Sequence, residues 1–341
     1  MGDTILAVKI WSLQALRFWA ALGVVLFHAY VAALYMSHRL GVLGETGAVF
    51  GRAGVDVFFV LSGVIITLTS KGLTAGAFLT RRARRILPLY GLLTALYLAA
   101  RMFKGGVDWR EAITSLTLWP PLDRMVEPTV PVAWTLCFEM LFYAATALVL
   151  WRRKLIWLVL AAFGTALAIR SGPVLSYVGN PIIIEFLMGI ALTRLPKWRG
   201  AVWLIPVSLA AMWFLGTGGY SPDLEVPDFL SGNMGWRRLL FLGLPAAAVV
   251  WGTMQLDVRQ GLLTYLGEAS YALYLTHLPV VIVVAWALCR FTPAPPDVVA
   301  AIAAAASIAL AWRVHELFEK PMLNWLRKPV LARGSGDQAV V

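Results

Sequence analysis

Charge is scarce in this chain: only 14% of its 341 residues are Asp, Glu, Lys or Arg, against roughly a quarter in a soluble domain. With 60% hydrophobic residues and a mean hydropathy of +0.76, that scarcity excludes an ordinary water-soluble domain and points to a polytopic membrane protein. Cysteine is nearly absent as well. Cys137 and Cys289 both fall inside apolar segments, which excludes a disulfide framework or a zinc-ligand spacing and leaves them as packing residues. No linker is long enough to detach a soluble domain. No internal repeat stands out, which weakens the case for an inverted-repeat transporter. No small-residue cleavage site follows the first apolar segment, so it reads as a retained helix, not a signal peptide.

What the chain has instead is long hydrophobic runs. A bilayer core takes about 20 apolar residues per helix, and about ten such windows can be counted. They centre near Gly23, Leu61, Leu96, Phe142, Ala162, Phe186, Ala210, Ala246, Leu278 and Ile308. The expected fold is therefore all-α, a membrane helix bundle over residues 1–328, followed by a short disordered tail over 329–341. Orientation follows from lysine and arginine, which gather in cytoplasmic connections. Lys71, Arg81, Arg82, Arg84 and Arg85 form one such group, Arg152 to Lys154 a second, and Arg194, Lys197 and Arg199 a third. The opposite connections hold acids, among them Asp108, Glu111, Asp123, Glu127 and Asp228. Both termini are then expected in the cytoplasm, with Arg237 and Arg238 as the exception on the outer side. The net charge of +11 reads as this topology signal and as contact with anionic lipid, not as nucleic-acid binding.

Against this apolar background a few polar side chains stand out. The stretch LRFWAALGVVLFHAY carries Arg17 and, eleven residues on, His28. On a helix they lie about 20° apart around the axis and about 16 Å apart along it, so both share one face. An arginine near a helix end can snorkel to headgroups, and a lone histidine can bond a neighbouring helix. Other helices, however, place Asp56, Glu139, Glu185, Tyr271, Tyr274 and His277 within the same bundle. Buried charges need partners, so a shared polar cavity is the economical expectation. A purely structural ion-pair network is the alternative, and Asp56 in particular can be read as a helix cap. The run RRARRILPLY satisfies the positive-inside rule on its own, but arginine forks also grip phosphate bidentately.

Together these segments resemble the acyltransferase-3 family of bacterial integral-membrane acyltransferases. The resemblance rests on Arg17 and His28 with ten residues between them, on GVDVFFVLSGVII and on RRARRILPLY with Pro88 and Tyr90. It extends to Trp134, Glu139, Phe142 and Tyr143 in WTLCFEMLFY, to LGEASYALYLTHLP, and to ELFEKP with Glu319 and Pro321. It runs over about residues 11 to 328, in order. Thr135 stands where many members have serine, LQALR replaces a commoner aspartate-glycine form, and with no stretch like the hydrolase-like domain fused to some members the expectation is a stand-alone transferase. The resemblance implies transfer of an acyl group, usually acetyl, from cytoplasmic acyl-coenzyme A to a hydroxyl of an extracytoplasmic glycan or lipid-linked saccharide, in a bacterial cytoplasmic membrane. It also implies that Arg17 and His28 are essential.

A sugar hydroxyl is a poor nucleophile and needs a base, for which His28 is the best residue type available. Asp56 and Glu139 are both candidates, on depth alone, for a carboxylate that fixes its tautomer. Direct transfer needs no metal, and a covalent acyl-histidine stays open. Arg17 is too far from His28 to act on the same atom, so it is assigned to the donor, with Arg81, Arg82, Arg85 and Tyr90 holding the donor's nucleotide end. Trp134, Tyr271, Tyr274 and His277 are the candidates for acceptor binding, and the connections 105–130 and 219–234 for its selection. Two other functions remain open: a flippase of a lipid-linked saccharide, and acyl transfer to a small lipophilic acceptor such as a macrolide.

Overall fold

The computed structural model describes residues 10–39, 41–42, 44–103, 105–219 and 225–327. The expected tail at 329–341 lies outside the described residues. Helices account for the architecture, and no strand occurs among the described residues. Three long helices come first: α1 (Trp11–Ser37), α2 (Gly44–Thr69) and α3 (Ala75–Phe103). A short α4 (Trp109–Thr117) follows, started by the Asp108 side chain accepting from the Arg110 N–H, which satisfies a first-turn donor. Then come α5 (Trp134–Trp151), α6 (Leu155–Ile169), α7 (Gly172–Val178), α8 (Ile182–Leu192) and α9 (Leu204–Leu215). The last part holds α10 (Val226–Ser231), α11 (Gly235–Arg238), α12 (Leu244–Met254), α13 (Leu262–Glu268), α14 (Ser270–Phe291), α15 (Pro296–Val314) and α16 (Lys320–Arg327).

Seven described segments are long and apolar enough to cross a membrane: α1, residues 50–69 of α2, α3, Pro131–Trp151, Gly172–Leu192, α14 and Pro296–Leu326. Two more of the expected windows, α6 and the Arg199–Leu215 run, are apolar but shorter. The remaining one, residues 235–254, is a continuous helical run that carries Arg237 and Arg238 and passes through a π-helical turn at Leu239–Gly243. Seven of the expected windows thus reach the length a bilayer core requires.

Burial separates the inner helices from the outer ones. In α2, 72% of the apolar window is buried, against 22% in α3, so α2 runs through the centre and α3 along the rim. Around α1 pack α2, α12, α13, α14 and α15. The α1–α2 crossing is close because Gly54 faces the Ala20 carbonyl, and a Cβ there would collide with it. Gly63 meets the Phe186 carbonyl of α8 in the same way. Without a hydrophobic force between helices in lipid, such small-residue contacts supply the packing. At the rim, Leu96, Trp157, Trp203, Phe214, Ile282 and Val283 are exposed. A surface of this kind needs lipid to cover it.

Candidate active site

One cavity of about 910 Å³ opens between α1, α2, α3, α5 and α14. Its arginine-rich end is built from the start of α3, where Arg81, Arg82, Arg84 and Arg85 line it together with Lys71. Four arginines in five residues cannot all face one way on a helix, yet all four border this opening because α3 starts at its mouth. Arg82 lies over the Phe78 and Tyr143 rings, 5.4 Å from each centroid, and donates to Thr69 Oγ1. Arg17 of α1 lines the same cavity deeper in, among Arg85, Glu139, Glu319 and Tyr143. The Glu139 carboxylate accepts from the Tyr143 hydroxyl at 2.6 Å and from Ser62 Oγ at 3.3 Å. Cations outnumber carboxylates among the described residues of this lining, so the cavity favours an anion.

The far end closes on backbone. Tyr274 donates to the Val132 carbonyl at 3.0 Å and lies 3.0 Å from Thr135 Oγ1, which reaches the same carbonyl at 3.1 Å. Val132 belongs to the 3-10 turn Pro131–Ala133 that starts α5. Lower down, the Tyr271 hydroxyl donates to the Ile86 carbonyl at 2.8 Å and ties α14 to α3.

His28 lies beyond this closure. Among the described residues lining the cavity it does not appear, whereas Arg17 does. His28 is half-buried, and its Nδ1 sits 2.8 Å from the Val24 carbonyl one turn back. On α14, His277 is fully buried and stands between Tyr274 and His28, with ring centroids 6.1 and 4.9 Å away. The two histidines meet at 3.2 Å, His277 Nε2 to His28 Nδ1. Arg52 of α2 approaches the same region, 5.3 Å from the Phe27 ring and 4.9 Å from Phe229.

Neither carboxylate considered for His28 is bonded to it. Asp56 instead receives a bidentate pair from Arg238, Nε to Oδ1 and Nη2 to Oδ2, each at 2.8 Å. Both side chains are closed off, at 0% and 4% exposure. Glu185 of α8 adjoins this pair and is itself fully buried. Asp56 therefore does not cap α2. Arg238 was visible in sequence only as a break in the positive-inside pattern, and the reason for the break is this buried partner. The guanidinium also lies over Trp134 and Phe229, 5.8 and 5.6 Å from their centroids. Trp134 stacks on Phe229 at 5.7 Å and is buried. Tyr90 is buried away from the arginines, its hydroxyl on the Ser115 carbonyl at 2.7 Å.

The structure thus brings Arg17, Arg81, Arg82, Arg85, Glu139, Tyr271 and Tyr274 to one cavity, with the His28–His277 pair outside it, one turn beyond Tyr274. Comparison with known proteins bears on what such a site does. The family described as "Acyltransferase domain" matches residues 10–314. The exopolysaccharide production protein ExoZ of Rhizobium meliloti is 32% identical, over 85% of this chain and 95% of its own. Acyltransferase MdmB of Streptomyces mycarofaciens is 25% identical, over 80% of this chain and 79% of its own. No solved structure matches. With a family match over most of its length, the chain belongs to the acyltransferase-3 family of multi-pass membrane acyltransferases.

Proposed function

We propose that this acyltransferase takes an acetyl group from acetyl-coenzyme A on the cytoplasmic side and passes it to a hydroxyl of a glycan or lipid-linked saccharide on the other side. The observation that carries this reading is the arginine-lined cavity. Its volume of about 910 Å³ lies at the upper end of the usual range for cofactor sites, about 300–1,000 Å³. Arg81, Arg82 and Arg85 at its mouth suit the phosphates of the donor, because guanidinium forks match phosphate oxygens. Arg17, deeper in, would hold the arm that carries the thioester. The same arginines support a cytoplasmic position for this end, and for both termini, in a bacterial inner membrane.

His28 supplies the base. The acceptor hydroxyl gives its proton to His28 as its oxygen bonds to the acyl carbon; the carbon–sulfur bond breaks, and the thiolate leaves to be protonated in turn. Tyr274 and Thr135, both bonded to the Val132 carbonyl, line this cavity on the side towards His277, and the acyl end would have to pass them to reach His28. The acceptor side then comprises Trp134, Phe229 and the connections 105–130 and 225–234; the rest of the expected 219–234 connection, residues 220–224, lies outside the described residues. A glycan acceptor is favoured because the relative ExoZ is named for exopolysaccharide production.

The test uses protein reconstituted in vesicles, radiolabelled acetyl-coenzyme A on one side and a glycan fraction on the other. Wild type should move label into glycan, and His28→Ala should reduce this by about 10²–10⁴-fold, the usual worth of a general base. Label retained by the donor in wild type, with no binding of coenzyme A, would favour a flippase.

A further inference from the structure

We propose that His277 is the positioning residue of His28: its Nε2 accepts the His28 Nδ1–H and so leaves His28 Nε2 as the basic atom. This rests on the reading of His28 as the base. The role of each ring nitrogen follows from what it faces. His277 Nδ1 lies 2.8 Å from the Tyr274 carbonyl and 3.2 Å from that of Leu273. Carbonyl oxygens only accept, so this nitrogen carries a hydrogen.

His28 Nδ1 faces the Val24 carbonyl at 2.8 Å and carries a hydrogen for the same reason. It also faces His277 Nε2 at 3.2 Å. Two N–H groups cannot point at each other across that gap, so His277 Nε2 offers a lone pair. The His28 hydrogen is then shared between the Val24 carbonyl and His277. With Nδ1 occupied, only Nε2 of His28 remains to take a proton, since the hydrogen bond at one ring nitrogen fixes the role of the other.

In a serine-protease triad this place belongs to a carboxylate. Here it belongs to an imidazole, itself fixed by two carbonyls of its own helix. The arrangement accounts for the absence of a carboxylate bond to His28: Asp56 is engaged by Arg238, and Glu139 by Tyr143 and Ser62. A fully buried side chain with a neutral acceptor holds the ring in place without adding another charge that would need a partner in an apolar bundle.

The chain contains four histidines, so histidine-selective ¹⁵N labelling gives a spectrum simple enough to assign by substitution. In nanodiscs, wild type should show a through-hydrogen-bond ¹⁵N–¹⁵N coupling between His28 Nδ1 and His277 Nε2, lost in His277→Leu. Absence of the coupling, with His277 protonated at Nε2, would overturn the pairing. Turnover should fall about 10–100-fold in His277→Leu, as for a misplaced catalytic group, with KM for acceptor and Kd for coenzyme A unchanged. His277→Gln, whose amide oxygen can accept in the same place, should recover at least half of that loss on a logarithmic scale. Equal loss in both variants, or near-normal turnover in His277→Leu, contradicts a positioning role. The coupling is read without substrate, so it decides the pairing even if His28→Ala proves active and the base reading fails.

Discussion

The arginine-lined cavity and the cluster around Asp56 are both polar islands in an apolar bundle, and they are built in opposite ways. In the cavity, Arg17, Arg81, Arg82, Arg84 and Arg85 share one opening with a single carboxylate, Glu139, among the described lining residues. At the cluster, one guanidinium forks onto one carboxylate with a second carboxyl beside it, and all are closed from solvent. Charge that is matched and dry holds helices together. Charge that is in excess and borders open space waits for a ligand. On that distinction we read the Asp56 cluster as scaffold and propose the arginine cavity as the binding site, although both sit on helices with family-like motifs.

Breaking the matched cluster should give the largest effect on stability. Asp56→Ala removes the carboxylate bonded to Arg238 in the interior and should cost about 3–5 kcal/mol, the usual penalty for breaking a buried pair by removing one partner. Thermal unfolding in detergent reads this directly. The double variant Asp56→Leu with Arg238→Met should recover most of the loss, because a buried ion pair is often replaceable by apolar side chains of similar size. If the double variant is as unstable as the single one, the pair does more than hold α2 to residues 235–254.

In the open cavity the signs reverse. Arg85→Ala removes a cation that the fold does not need paired, so unfolding should be little changed. Coenzyme A affinity should drop about 10-fold or more, in line with about 1.5–3 kcal/mol for a hydrogen bond to a charged group. Titration in nanodiscs checks this. High salt should weaken donor binding in wild type more than in the variant.

The smallest effect belongs to the surface. Arg110 forks onto Asp123 outside the spanning segments and holds that carboxyl down at about 2. A lowered carboxylate pKa means that any stabilisation is present above the ordinary carboxylate range and is lost as pH falls towards 2. Asp123 is exposed and Arg110 half-buried at the surface, so Asp123→Asn should leave unfolding at neutral pH almost unchanged, because surface pairs are screened. A clear loss at neutral pH would mean that the 105–130 connection is more tightly organised than its exposure indicates.

The helical bundle was legible in the sequence because an apolar run of bilayer length satisfies its backbone in lipid only as a helix or a closed barrel, and these runs lack the alternation of barrel strands. The family was legible because six motifs recur in order. The Arg17 position relative to the α3 arginines was legible too, since helix periodicity and the positive-inside rule fix depth. Partners were not. Depth places Asp56, Glu139 and His28 in one bundle, but says nothing of the azimuth at which neighbouring helices meet. Hence Asp56 could not be separated from Glu139 as a partner of His28, and the residue that meets His28 is instead His277. Arg238 did leave a trace, as a basic residue on the wrong side. Tyr90 left none: its bond to the Ser115 carbonyl depends on how the 105–130 connection folds back, which no local pattern encodes.

The central claim is that one chain holds two separate functions along α1, donor binding at Arg17 and the α3 arginines and base chemistry at His28. Coenzyme A affinity and acetyl transfer, measured side by side in nanodiscs for wild type, Arg85→Ala and His28→Ala, test it most directly. The account predicts weakened binding in Arg85→Ala, and wild-type binding with turnover lost in His28→Ala. Equal weakening of binding by both substitutions, or full transfer by His28→Ala, would contradict it.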